Sequence, residues 1–443
     1  MPARSRKVRR LSRRWTGGAL LILISVSLTL TEALRVARHR AAPLSVTPAV
    51  EEFAVDDPRF ERLLGLATGM HVDAGNRVDV LLNGDGTWPP LLRDLSSARH
   101  SIAVQMYYAK PGRVSDTLAA ILCDRARAGV PVRFLLDAFG ATSMPKSWVR
   151  RMQACGVQVA LLRTLQWYTI HSATDRSHVR AVVVDGRIGY TGGFGLADYW
   201  MGDGHHADQW RESNVRFEGP AVGGLQAAFA AAWAESTGEL MAGAFSFPND
   251  VAMGAPSDSL CVRAGLLFTA PTVGNTAAER FLALVIRSAR KRLYITNSYF
   301  VPNQSFRQLL ESAGDRGVDV RVLTAGANTD VRTPWLAGRY RYDELVAHGV
   351  RIYEYQPSMM HAKTIVVDGV WSTIGSMNFD NHSLGSNDES NLVVIGGSVG
   401  ATMDSAFVDD LRYAKEMTPS ELANRSVLER LLERGAVMLA RLL

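Results

Sequence analysis

Cysteine is scarce in this chain of 443 residues: Cys123, Cys155 and Cys261 lie far apart and are odd in number. That excludes a disulfide-dense scaffold and any CxxC zinc module. HExxH and EF-hand patterns are absent too, so no metal or other cofactor is expected. Charged residues make up only 21%, against 47% hydrophobic. Such a chain buries a substantial core and is not disordered, and its length suits two similar-sized domains. Acid is almost missing from residues 1–40, which hold ten Lys/Arg and Glu32 alone. This segment carries +9 while the whole chain carries +6, so residues 41–443 sit near −3. The basic charge belongs to a leader, and a nucleic-acid-binding face is not expected.

Within that leader, seven basic residues from Arg4 to Arg14 precede an uncharged run from Trp15 to Thr31, closed by Glu32, Arg35, Arg38 and Arg40. The run is a little short of the roughly 18–20 residues that cross a bilayer upright. An uncleaved anchor, a cleaved signal peptide and an interfacial helix all fit. The lack of a clean small-x-small cleavage site favours the anchor. The expectation is a basic cytoplasmic leader over 1–15, a transmembrane segment over 16–34 and a tether over 35–74, with the body on the far side of the membrane.

After the tether the chain repeats itself. SSARHSIAVQMYY (96–108) matches RSARKRLYITNSYF (287–300), and RARAGVPVRFLLDA (125–138) matches GDRGVDVRVLTA (314–325). CGVQVALL (155–162) matches HGVRIYEY (348–355), and HVRAVVVDGRIGYTGG (178–193) matches HAKTIVVDGVWSTIGS (361–376). The offsets stay between 183 and 193 residues. Each half, 75–240 and 257–415, alternates helical stretches with short β-branched runs, an α/β pattern with buried strands. The join falls around 240–256. Beyond Pro419, Leu422, Leu428, Leu431, Leu432 and Met438 fall along one side of an amphipathic helix over 416–443, expected to pack against the second half, with a membrane-surface helix as the alternative.

Chemistry concentrates in the last repeat. In a strand His361 and Lys363 point to one face, and the turn at Asp368–Gly369 brings Ser376 and Asn378 back to the same sheet end. An imidazole beside an ammonium, a hydroxyl and an amide suits a phosphate diester. The charge neutralises a non-bridging oxygen, neutral donors hold the others, and the imidazole attacks phosphorus or protonates the leaving alcohol. The first half carries His178, Arg180, Asp185, Gly193 and Gly195 at matching positions, with Glu212 and Glu389 further on. A recurrence of this kind does not suit isolated core histidines.

The paired HxKxxxxD-type motifs, the GSxN segment and the following glutamates resemble the phospholipase D superfamily over roughly 75–415. The stretches 75–102, 298–302 and 361–391 resemble bacterial cardiolipin synthases most. The resemblance implies an α/β protein of two similar halves, each a mixed sheet flanked by helices, packed pseudo-symmetrically around one shared site. It implies a metal-free reaction in which His178 attacks phosphorus to form a phosphohistidine and His361 serves as general acid and base, pseudo-symmetry leaving that order open. Arg180 and Lys363 would grip phosphate oxygens, with Gly193, Ser376 and Asn378 as further phosphate contacts. Glu212 and Glu389 would orient the imidazoles, and Asp185 and Asp368 would cap turns. Arg180 departs from the usual Lys, and Gly195 from the usual Asn.

The activity so implied is a membrane-bound phosphatidyltransferase making cardiolipin from phosphatidylglycerol and a second phospholipid, phosphatidylethanolamine among the candidates, in a bacterial inner membrane. A phospholipase D-type hydrolase and a non-catalytic lipid-binding protein are the alternatives. Nuclease action is disfavoured by the body's charge. The cluster His205, His206 and Asp208 reads as a solvated loop. Tyr108, Tyr299 and Phe300 end equivalent strands, where they line the cleft or fill the core.

Overall fold

The computed structural model describes Ser27 and residues 44–47, 53–164, 175–248, 261–270 and 276–440. Apart from Ser27, the leader and the expected membrane segment lie outside the described residues. Among those described, no helix is long and apolar enough to cross a membrane.

The first half supplies β1 (Asp73–Leu82), β2 (Ile102–Met106), β3 (Val132–Asp137), β4 (Gln158–Leu162), β5 (Ala181–Val184), β6 (Ile188–Gly192), β7 (Trp210–Arg211) and β8 (Ser213–Glu218). The second supplies β9 (Cys261–Thr269), β10 (Arg292–Asn297), β11 (Asp319–Ala325), β12 (Arg351–Tyr355), β13 (Met359–Met360), β14 (Thr364–Val367), β15 (Trp371–Gly375), β16 (Glu389–Ile395) and β17 (Ala414–Glu416). Among the described residues, fifteen of these strands form one continuous sheet, in the order β17-β12-β11-β10-β14-β15-β16-β9-β1-β8-β6-β5-β2-β3-β4. Read outward from the central β9–β1 pair, both arms run through the same element types. In each arm, three parallel strands joined by helical crossovers meet an antiparallel set. The two halves therefore share a sheet edge to edge. The seam is the antiparallel pairing of β1 with β9, broken by a bulge between Asp73 and Asn76.

Strand alternation distributes the core. Ile102, Val104, Val182 and Val184 point into a cluster under the first-half helices Asn83–Ser97 and Arg113–Arg127. Ile365 and Val367 point into the equivalent cluster under helices Ala277–Ser288 and Gln304–Asp315. The intervening Ala103, Val183 and Val366 face the other way, into one core common to both halves. Phe229 and Trp233 of helix Ala221–Thr237 and Phe407 of helix Gly397–Leu411 fill it. One apolar layer thus spans the seam and fixes the two arms relative to each other.

Three features depart from or add to these expectations. The tether expected over 35–74 contains a helix, Pro58–Thr68, capped by the Asp57 side chain and docked through Phe60 and Leu64 into the second-half core. Pro at its first turn starts the helix rather than breaking it. Secondly, the scarce cysteines include a disulfide: Cys123 and Cys155, with Cα atoms 5.3 Å apart, tie helix Arg113–Arg127 to the end of helix Lys146–Ala154. Thirdly, the C-terminal segment is two helices, Pro419–Ala423 and Val427–Ala440, and the longer one does not pack by its leucines. Leu422 is buried, but Leu428, Leu431, Leu432 and Met438 are exposed, while Glu433 and Ala436 face the protein.

Candidate active site

The site lies at one end of the sheet, where the backbone enters β5 and β14, leaves β6 and β15, and enters β8 and β16. Antiparallel pairing brings these three chain ends together in each arm. His361 and Lys363 stand just ahead of β14, between it and the short β13. They sit in the approach to the strand, not within it as the alternation argument supposed. His361 N–H donates to the Arg211 carbonyl at 2.8 Å, and His178 N–H donates to the Asp388 carbonyl at 2.8 Å. Each motif is thus stitched to the residue immediately before the other half's glutamate.

That stitching crosses the carboxylates over. His178 Nδ1 meets Glu389 Oε2 at 3.1 Å, and His361 Nδ1 meets Glu212 Oε2 at 2.6 Å. Neither glutamate serves the histidine of its own half. With Nδ1 engaged, Nε2 is the nitrogen left to meet a substrate on both rings. His178 and His361 are 8% and 5% exposed, and both glutamates and both cations are essentially buried.

Arg180 takes the place Lys363 takes. Its guanidinium donates to the His178 carbonyl at 2.5 Å, as the Lys363 ammonium donates to the His361 carbonyl. Arg180 Nε and Asn378 Oδ1 are buried without a hydrogen-bond partner among the described residues. An anion with several acceptor oxygens would satisfy such a donor.

The remaining predicted phosphate contacts are spent elsewhere. Gly193 N–H donates to Asn214 Oδ1 at 3.1 Å. Its lack of a side chain makes room for Glu212, whose carboxylate oxygens lie 2.4–2.6 Å from where a Cβ would sit. Ser376 Oγ donates to Glu389 Oε2 at 2.5 Å and so orients a carboxylate. Glu212 faces Gly193 where Glu389 faces Ser376, and it takes its donors from Ser213 N–H at 3.0 Å and Trp200 Nε1 at 3.3 Å. Trp200 also explains Gly195: a Cβ there would meet the indole at 2.8–2.9 Å. Asp185 and Asp368 touch neither imidazole. Each sits at the turn (φ 54° and 53°) and accepts three backbone N–H groups, from Arg99, His100 and Ser101 and from Arg290, Lys291 and Arg292.

The walls are aromatic and unequal. Tyr107 packs edge-on against His178 at 4.8 Å, with the Arg180 guanidinium 5.4 Å over its ring. His361 lies between Trp200 at 5.3 Å and Trp210 at 4.8 Å. None of the three was singled out in the sequence. Tyr108 instead packs on Tyr199 and Trp200, Tyr299 donates to Asp330 at 2.7 Å, and Phe300 is core. A further signal was legible: Glu-Ser-Asn recurs at 212–214 and 389–391. Both asparagines accept backbone N–H groups of the glycine segments, Asn214 from Gly193 and Asn391 from Met377. His205 pairs with the Tyr355 hydroxyl at 2.8 Å and leans on Tyr413, and no metal-holding group of side chains occurs among the described residues.

Burial drives every ionisable group here toward its neutral form. Desolvation, followed by the charges of Arg180 and Lys363, holds His178 well below the ordinary imidazole range. Desolvation, then Lys363 and Arg180, does the same to His361. Burial pushes Glu212 and Glu389 up to about 7 and brings the Lys363 ammonium down to about 7. A neutral Nε2 carries a free lone pair, the requirement for a nucleophile.

The chain is similar to known proteins in sequence and in fold. Residues 91–233 and 282–411 match the family model described as cardiolipin synthase, phospholipase D-like domain. Cardiolipin synthase A of Pseudomonas putida is 30% identical over 81% of this chain and 73% of its own. The probable cardiolipin synthase YwiE of Bacillus subtilis is 27% identical over 87% of this chain and 76% of its own. In fold, the chain is similar to phosphatidylserine synthase of Haemophilus influenzae, at TM-score 0.63 and 12% identity over 87% of this chain and 98% of that one. Two histidine motifs clasped by each other's glutamates, together with these matches, place the chain in the cardiolipin synthase, phospholipase D-like family.

Proposed function

We propose that the chain is a phospholipid phosphatidyltransferase that forms cardiolipin from phosphatidylglycerol and a second phospholipid. The observation that carries the mechanism is the crossed pair of His–Glu contacts, which turns two halves into one site with two reactive Nε2 atoms. His178 Nε2 attacks phosphorus of the donor. The P–O bond to the departing headgroup alcohol, glycerol from phosphatidylglycerol or ethanolamine from phosphatidylethanolamine, breaks as that oxygen takes the proton of His361 Nε2. The free glycerol hydroxyl of a phosphatidylglycerol acceptor then returns a proton to His361, and its oxygen attacks phosphorus. The P–N bond breaks, regenerating His178. Arg180 and Lys363 neutralise the phosphodiester, and the incoming anion favours the charged forms of Lys363 and His361 that burial alone disfavours.

The depth of the two imidazoles favours transfer over hydrolysis, because a site closed from water protects the phosphohistidine. Arg180 keeps the cation of the first motif in the position Lys363 holds in the second, which favours catalysis over a merely lipid-binding role. The anchor at 16–34 would keep the enzyme with its bilayer-confined substrates. Placement of the body outside the cytoplasm is supported by the Cys123–Cys155 disulfide, since such bonds persist in oxidising compartments.

The test is a product assay in detergent–phospholipid micelles with chelator, supplying phosphatidylglycerol with and without phosphatidylethanolamine and reading lipids by mass spectrometry. Cardiolipin is the expected result, with glycerol released when phosphatidylglycerol is the donor and ethanolamine when phosphatidylethanolamine is. Phosphatidic acid alone would make the protein a hydrolase.

A further inference from the structure

The helix Val427–Ala440 is mounted inside out. A helix of a soluble domain buries its apolar stripe and exposes its charges. Here the polar side is held against the protein by a buried ion network. Arg425 pairs with Glu433 at 2.7 Å, Glu433 pairs with Arg339 at 3.2 Å, and Arg339 reaches Glu354 at 3.3 Å. Arg425 also donates to the Arg339 carbonyl at 3.0 Å and pairs with Asp343. At 100° per residue, Val427, Leu428, Leu431, Leu432, Gly435 and Met438 make one uninterrupted stripe on the opposite side. The five side chains among them are 52–77% exposed. Nothing in the described chain covers them, and the ion network prevents the helix from rolling to hide them.

Two observations identify the occupant. One border of the stripe is basic, formed by the exposed Arg430 and Arg434, which complements an anionic surface. The second is position. The helix packs along helix Arg332–Arg339, which follows directly from the loop carrying Asp330. Asp330 accepts from Tyr299 and is close enough to Lys363 for its charge to favour the ammonium. The apolar stripe is therefore one helix removed from the site's rim.

From this placement we propose that the C-terminal helix is a second membrane contact: its leucine stripe lies in the surface of a bilayer of anionic phospholipid and holds the catalytic cleft against the substrate layer. The inference rests on the phosphatidyltransferase reading for the identity of the substrate layer, but its test does not require turnover. Full-length protein carrying Cys261→Ser is spin-labelled at Leu431→Cys or, as control, at Arg430→Cys, and placed in nanodiscs of phosphatidylcholine with or without phosphatidylglycerol. In discs with phosphatidylglycerol, the label at 431 should become accessible to oxygen and shielded from an aqueous nickel chelate, while the label at 430 stays water-accessible. Equal nickel access at both positions would overturn the proposal. So would dipolar broadening between labels at 431, because a second copy of the chain would then cover the stripe. In a second arm, Leu428→Gln/Leu431→Gln/Leu432→Gln should lose at least ten-fold in transfer on vesicle lipid and keep its rate on monomeric short-chain phosphatidylglycerol. Equal loss on both substrates would mean structural damage and contradict a docking role. Wild-type inactivity on both lipids would count against the transferase reading, while the label accessibilities would still decide the membrane contact.

Discussion

His178 and Glu389 stand 211 residues apart and in opposite halves, yet Nδ1 and the carboxylate meet at 3.1 Å, mirrored by His361 and Glu212 at 2.6 Å. Each half therefore lacks the residue that orients its own histidine. Neither half alone forms the complete candidate site, and the seam between β1 and β9 is as much a part of it as the motifs are.

The crossing predicts which step each glutamate serves. Glu389→Gln should slow formation of the phosphohistidine by about 10²–10⁴-fold, the range for disturbing a group that orients or supplies a catalytic base. Glu212→Gln should act on leaving-group protonation, so a phosphatidyl ester of p-nitrophenol, which needs no acid, should restore its first step. Rapid-quench measurement of p-nitrophenol release checks both. Rescue of Glu389→Gln instead of Glu212→Gln would reverse the assignment.

Trp200 supplies in the first half a donor that Ser376 supplies in the second. Trp200→Phe keeps the wall against His361 and removes the N–H to Glu212, so turnover should fall about ten-fold, the scale of one lost hydrogen bond to a charged group. Folding should be nearly unchanged. Restoring the usual asparagine by Gly195→Asn should destabilise the protein by about 1–3 kcal/mol, because the new Cβ overlaps the indole. Thermal unfolding of both variants beside initial rates separates the two effects.

The lowered imidazoles set a pH window. A depressed pKa leaves His178 unprotonated until the pH falls below the usual 6.5, so an acid limb near pH 7 with the p-nitrophenyl substrate belongs to Glu389, whose carboxyl burial pushes up to about 7, and should vanish in Glu389→Gln. A limb of the same midpoint retained in Glu389→Gln would contradict this. Lys363 gives a stability signature. Between about 7 and its ordinary 10.5 the unfolded chain binds the proton and the folded chain does not. Its contribution to stability therefore rises with pH across that window. Lys363→Met should flatten that rise in denaturant titrations.

The disulfide between Cys123 and Cys155 closes a separation of 32 residues. Loop-closure entropy puts its contribution at about 3–4 kcal/mol. Cys123→Ser should lower the denaturation midpoint accordingly, and mild reductant should lower that of the wild type to the same level.

The repeat was legible in the sequence because equivalent strands keep equivalent residues: the offsets hold through Asp185 and Asp368, which cap matching turns. The histidines, cations and glutamates were legible for the same reason. Repetition identifies equivalent positions but not partners, so the exchange of glutamates between halves was hidden until β1 and β9 were seen to pair. Trp200 and Trp210 belong to the stretch where the halves differ most in length, and no offset points to them. For the final helix, hydrophobic periodicity gives a face and not what covers it. Arg339, Arg425 and Glu433 chose the opposite side.

The most direct test of the account is to trap the covalent intermediate. Glu212→Gln full-length protein, given the phosphatidyl p-nitrophenol ester and quenched in alkali within the first turnover, should carry a phosphatidyl group on the peptide containing His178. The group should be stable to base and labile to acid, as a phosphoramidate is. Recovery of the adduct on His361, or of no adduct while p-nitrophenol is released, would contradict the account.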